Sequence, residues 1–134
     1  MKESADNLSN LIEAAKQAKR FAQAHYSGFC VGAALETKAG RIFTGVNVES
    51  SSYGLTICAE RVALVKALSE GFTDFTRLVV LTDGKRPTPP CGACRQLLWD
   101  YARNLEIILV DKHDAIVQTS IAELFPQPFG AEDL

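Results

Sequence analysis

Apolar residues recur at Leu8, Leu11, Ile12, Ala15, Ala18 and Ala22 with charges between them, the spacing of an amphipathic helix over Leu8 to Ala24. Phe29 to Leu35 and Arg41 to Val48 are rich in β-branched and small apolar residues. With Lys38-Ala39-Gly40 between them they read as a hairpin. Val62, Ala63, Leu64, Ala67 and Leu68 predict a helix over Glu60 to Leu68, entered at Cys58 and closed near Gly71. Leu78 to Leu81 reads as a buried strand. From Asp83 to Pro90 there are too many Gly and Pro residues for helix or strand, so this stretch is a loop leading to a second cysteine-led helix, Cys91 to Tyr101. Ile107 to Val110 and Ala115 to Gln118 fit two more strands across a turn at His113-Asp114, and a short helix at Ile121 to Leu124 precedes Pro126. There is no internal repeat or linker. Interleaved helices and strands then imply one α/β layered sandwich spanning residues 1–134.

Composition changes this picture little. At 134 residues one core is the default, and 47% hydrophobic with 22% charged residues is ordinary for a globular chain. A net charge of −2 offers no footprint for a polyanion, so a nucleic acid is not the expected partner. Lys16, Lys19 and Arg20 read as a solvated helix face. No apolar run approaches the ~20 residues that span a bilayer, and Met1 to Asn10 is polar rather than signal-like, so no membrane and a cytoplasmic location are expected. In that compartment four cysteines point to metal ligands, catalytic groups or buried thiols rather than disulfides.

Chemistry concentrates in Cys58-Ala59-Glu60 and Pro90-Cys91-Gly92-Ala93-Cys94. Three thiols and a carboxylate sit at predicted helix starts, where unpaired N–H groups and the helix dipole favour thiolates. Three sulfur ligands would leave one position of a tetrahedral zinc for water, as catalytic sites do. A structural zinc site would need a fourth ligand, and Cys30, His25 and His113 are the candidates, none at zinc-knuckle spacing. A Cys91/Cys94 redox pair is the other alternative, and it leaves Cys58 and Glu60 without a role.

On these residues, and on Val31-Gly32-Ala33-Ala34-Leu35, Thr44-Gly45-Val46-Asn47-Val48-Glu49, Tyr53 to Arg61 and Pro90 to Gln96, the chain resembles the cytidine deaminase family. The resemblance runs from about Tyr26 to Phe129. It implies a three-layer α/β/α sandwich with a mixed central sheet of about five strands. It implies one Zn2+ per subunit on Cys58, Cys91 and Cys94, with Glu60 as general acid and base in the hydrolytic deamination of a small-molecule nucleoside in pyrimidine salvage. Three thiolates on a divalent ion carry net negative charge, so a nearby cation would help. The resemblance gives Arg61 that role, with Arg95 and Gln96 as further supports.

Asn47 and Glu49, two apart at the end of a predicted strand, are expected to share a side and reach one ribose. The resemblance implies that Phe29 packs on the base, that Ala59 belongs to the substrate site, and that Phe129 and Tyr53 act at a subunit boundary of a homotetramer whose neighbours complete each pocket. Departures fall at His25, Gly28 and Cys30, where loss of a usual proline and gain of a glycine should loosen the segment, and at Ser50-Ser51-Ser52. Tolerance of modified cytidines is one consequence. Rival functions are deamination of a bulky cytosine antibiotic such as blasticidin S, an RNA-editing deaminase, and a non-catalytic zinc-stabilised interaction protein.

Overall fold

The computed structural model describes residues 2–134, with side chains from Asn7 onward, so Met1 of the polar N-terminus lies outside the described residues. The elements are α1 (Lys2–Lys19), β1 (Val31–Thr37), β2 (Ile42–Val46), α2 (Ala59–Ser69), β3 (Phe75–Thr82), α3 (Gly92–Tyr101), β4 (Glu106–Val110), β5 (Ile116–Ser120) and α4 (Ile121–Leu124). One five-stranded sheet has the order β2-β1-β3-β4-β5. Within it β3 and β4 run parallel and the other neighbours antiparallel, and α3 makes the crossover between the two parallel strands.

Alternation along the inner strands builds two apolar faces, because neighbouring side chains point to opposite sides of a sheet. Ala33, Leu35, Leu78, Val80, Ile107 and Leu109 pack with Ala63 and Leu64 of α2 and Leu98 of α3. Ala34, Val79, Leu81, Ile108 and Val110 face the other way, onto Leu11 and Ala15 of α1. The result is a three-layer sandwich with a mixed sheet, as the resemblance implied. Both faces of β3 and β4 are covered, which is why these strands read as unbroken apolar runs.

Two glycines set the spacing between layers. A Cβ on Gly32 would lie 2.2 Å from the Ala15 carbonyl oxygen, and one on Gly45 would lie 2.3 Å from the Ala59 carbonyl oxygen. α1 and α2 therefore approach the sheet more closely than any side chain at those positions would allow.

The first helix begins and ends earlier than its periodicity suggests. It stops at Lys19 because Gln23 pairs with the stretch after β2: Gln23 N donates to Asn47 O at 2.9 Å and Glu49 N donates to Gln23 O at 3.0 Å. This tertiary pairing overrides the helix propensity of Ala22 and Ala24. Nor are the basic residues around its end merely solvated, since Lys16 pairs with Asp114 at 3.4 Å and Lys19 with Asp83. β3 is longer than the four residues expected, and its outer part carries Arg77, which meets Glu36 of β1 directly across the ladder. No helix of the described residues is long and apolar enough to cross a membrane.

Candidate active site

α2 and α3 each begin at a cysteine. Cys58 and Cys91 are the N-cap residues, in extended conformation, and their carbonyls accept the opening helical bonds from Val62 N (3.1 Å) and Arg95 N (2.9 Å). One turn into α3, Cys94 is fully buried. The two helix starts converge, so that Cys58 Sγ lies 3.7 Å from Cys91 Sγ and Cys91 Sγ lies 3.5 Å from Cys94 Sγ. All three sulfurs lie within 4.8 Å of one another. Tetrahedral zinc with sulfur at about 2.3 Å requires sulfurs about 3.8 Å apart. The donor set and its spacing fit zinc, and three protein ligands leave a fourth position open.

The electrostatics favour ligation. The Cys58 thiol is pushed down to about 5 by the hydrogen bond from Cys94 and by the guanidinium of Arg61. Cys94 moves upward because its hydrogen bond to Cys58 and its burial both hold its proton. A divalent cation held among the three sulfurs would stabilise them as thiolates. Arg61 NH2 donates to Thr56 O at 3.1 Å and lies 3.9 Å from Cys58 Sγ, which places the expected cation against the cluster.

Glu60 stands in the first turn of α2, only 5% exposed. Burial raises its carboxyl to about 7, and the neighbouring Cys58 charge adds to the rise. A carboxyl poised near neutrality suits a group that must both take and return a proton.

A cleft of about 280 Å³ opens beside the cluster. Its lining includes Phe29, Asn47, Glu49, Ala59, Glu60, Cys58 and Cys91, so most of the residues named from the sequence meet in one place. Asn47 and Glu49 get there by a route other than a shared strand face. β2 ends at Val46, and the two residues flank Val48, which makes isolated bridges to Gln23 and Ile57. Each also holds the backbone that precedes β1. Asn47 Nδ2 donates to Phe29 O (2.8 Å) and its Oδ1 accepts from Val31 N (3.0 Å). Glu49 Oε1 accepts from Tyr26 N (2.9 Å) and Ser27 N (3.0 Å). The segment expected to be loose is thus tied down, while Gly28 supplies the φ of 70° that its turn requires.

The remaining named residues lie outside the cleft. Tyr53 is 80% exposed on the turn before Cys58, and Phe129 is 56% exposed near the C-terminus. Gln96 donates to Phe129 O at 2.9 Å and shares with it a surface hollow bounded by Asp100 and Arg103. Arg95 braces the approach to Cys91, donating to Pro90 O (2.8 Å) and to Leu124 O (2.7 Å). Cys30 is a free, half-buried thiol and His113 is exposed; neither belongs to the sulfur cluster. Val80, Thr82, Thr88 and Pro89 also line the cleft and were not read from the sequence. The breaker-rich Asp83 to Pro90 loop was the available signal for the last two.

A sandwich of this topology, with a three-cysteine cluster at two helix starts and a buried carboxyl alongside, defines a zinc-binding deaminase fold. The chain belongs to the family described as cytidine and deoxycytidylate deaminase zinc-binding region, whose model matches residues 5–109. It is 47% identical over 130 residues to a probable cytidine deaminase of Dictyostelium discoideum, covering 96% of this chain and 88% of that protein. The crystal structure of cytidine deaminase from Burkholderia pseudomallei superposes with a TM-score of 0.88 at 44% identity, covering 90% of this chain and 98% of the other. The blasticidin-S deaminase of Bacillus cereus is more distant, 36% identical over 104 residues that cover 72% of this chain and 74% of that protein.

Proposed function

We propose that residues 1–134 form a single catalytic domain that deaminates free cytidine and deoxycytidine to uridine and deoxyuridine, releasing ammonia. The observation that carries this reading is the pairing of the buried Glu60 carboxyl with a three-sulfur cluster beside one small cleft. Zinc held by Cys58, Cys91 and Cys94 supplies Lewis acidity that makes water a nucleophile at neutral pH.

Glu60 handles the protons. As the oxygen of water bonds to C4 of the pyrimidine, Glu60 accepts the proton and delivers it to N3. Glu60 then takes the remaining proton from the C4 hydroxyl and passes it to the exocyclic amine, so that the C4–N4 bond breaks as the C4 carbonyl forms and ammonia leaves. Arg61 offsets the negative charge of three thiolates, and Arg95 holds the loop that presents Cys91. Phe29 offers the base an aromatic face, Ala59 lines the wall beside it, and Asn47 and Glu49 supply polar groups for the ribose.

A cleft of about 280 Å³ lies just under the roughly 300 Å³ at which small-molecule sites usually begin, and suits one nucleoside rather than a polynucleotide. The net charge of −2 points the same way. Exposed Tyr53 and Phe129, with Gln96 supporting the latter, fit contacts to neighbouring chains in a homotetramer. A cytoplasmic salvage role fits the free nucleoside substrate and the four free cysteines. Incubation with cytidine, deoxycytidine, an N4-substituted cytidine and blasticidin S in competition tests the substrate class. Preferred turnover of the two unmodified nucleosides is expected, and preference for blasticidin S would replace this reading.

A further inference from the structure

Phe29 is gripped at both of its peptide groups. Its carbonyl accepts from Asn47 Nδ2 at 2.8 Å, and its N–H donates to the Ser27 hydroxyl at 3.0 Å. That same hydroxyl donates its proton to Glu49 Oε2, while Glu49 Oε1 takes the N–H groups of Ser27 and Tyr26. A serine hydroxyl has one donor and two acceptor directions. Here the donor is spent on the carboxylate, and an acceptor direction is filled by the Phe29 amide. The hydroxyl therefore bridges the carboxylate on one wall of the cleft and the aromatic on another.

The turn around the bridge is also closed by Gly28 N donating to Ala24 O at 2.9 Å. Gly28, between the two bonded residues, has φ at 70° and nothing within 4 Å of where a Cβ would stand. No packing at that position holds the turn. Phe29 itself is 37% exposed and lines the cleft. Ser27, Phe29, Asn47 and Glu49 all line the same cleft.

We infer that Ser27 is a positioning residue for substrate binding: its hydroxyl fixes Phe29 against the cleft through Glu49, so that the sugar-side carboxylate and the base-side aromatic are set together. The inference rests on the reading of the cleft as a nucleoside site. A serine that merely shaped a surface turn would affect stability and leave binding alone. Because Ser27 is exposed, its truncation does not empty the core.

The experiment compares Ser27→Ala, Ser27→Thr, Phe29→Ala and the Ser27→Ala/Phe29→Ala double variant on the zinc-loaded enzyme, reading KM and kcat for cytidine together with the melting temperature. Loss of a hydrogen bond to a charged group predicts a KM about tenfold higher in Ser27→Ala, with kcat within about twofold. The lost bond is intramolecular, so the melting temperature should fall by a few degrees as well, with the variant still folded at the assay temperature. Threonine, which keeps the hydroxyl, should restore KM, and the effect of Ser27→Ala should be smaller in the Phe29→Ala background than in wild type, the remainder coming from Glu49. A KM within about twofold of wild type, an equal further rise in the Phe29→Ala background, or a fall in melting temperature with KM unchanged overturns the inference. Wild-type protein that fails to deaminate cytidine would instead overturn the functional reading beneath it.

Discussion

The Arg61 guanidinium lies 3.9 Å from the Cys58 sulfur, and its other bond goes to the Thr56 carbonyl two residues before that cysteine. Its Nε is buried without a hydrogen-bond partner among the described residues. A cation accepted in that position at the expense of an unmade bond is held there for its charge. Arg61→Gln should lower kcat or zinc affinity by roughly 10–100-fold, the usual consequence of removing a partner of a metal ligand. Metal titration and steady-state rates on the same preparations check this; unchanged values in both would show that the guanidinium serves packing alone.

Gly45 couples the edge of the sheet to the helix start that carries Cys58 and Glu60. A Cβ there would stand 2.3 Å from Ala59 O and 2.6 Å from Ala63 N, both backbone atoms that cannot swing aside. Gly45→Ala should cost about 1–3 kcal/mol of stability, as overpacking does, and should displace the first turn of α2. Chemical denaturation gives the first number, and a reduced kcat in the folded variant reports the second. Gly54→Ala, where nothing lies within 4 Å, provides the control.

Much of this arrangement is legible in the sequence, for identifiable reasons. The cysteines and Glu60 could be placed because a helix start is a local feature, set by Cys58 and Cys91 ahead of apolar periodicity. The sheet's inner strands could be placed because burial on both faces leaves unbroken runs such as Ile107 to Val110. What escaped depends on contacts distant in sequence. α1 ends at Lys19 because Gln23 pairs with residues 47 and 49, and the Asn47 and Glu49 side chains bond to backbone some twenty residues away. No periodicity encodes such bonds. The expected looseness at Gly28 fails for the same reason: glycine permits the turn, while the hydrogen bonds around it decide whether the turn is mobile.

Glu36 and Arg77, facing each other across β1 and β3, form two hydrogen bonds of 2.9 Å with both side chains 15% exposed. The Arg77 bonds hold the Glu36 carboxyl below its ordinary 4.5, while Glu106 adds to the negative field at Arg77. A carboxyl with a depressed folded-state value stabilises the fold above its unfolded value and loses that contribution as pH falls below it. Glu36→Gln should therefore destabilise the protein by about 1–2 kcal/mol at pH 7, and the difference from wild type should shrink below about pH 4. Thermal melts of both proteins from about pH 3 to 8 test the sign. A gap that widened in acid would contradict it.

A metal site paired with a single proton-carrying carboxylate calls for zinc content and ammonia release to be measured for wild type and Glu60→Gln side by side. Both proteins should hold about one zinc per chain. Wild type should release ammonia equimolar with uridine, and the variant should do so at a rate lower by roughly 10²–10⁴-fold. Zinc retained with ammonia release undiminished in Glu60→Gln would show that Glu60 does not carry the protons.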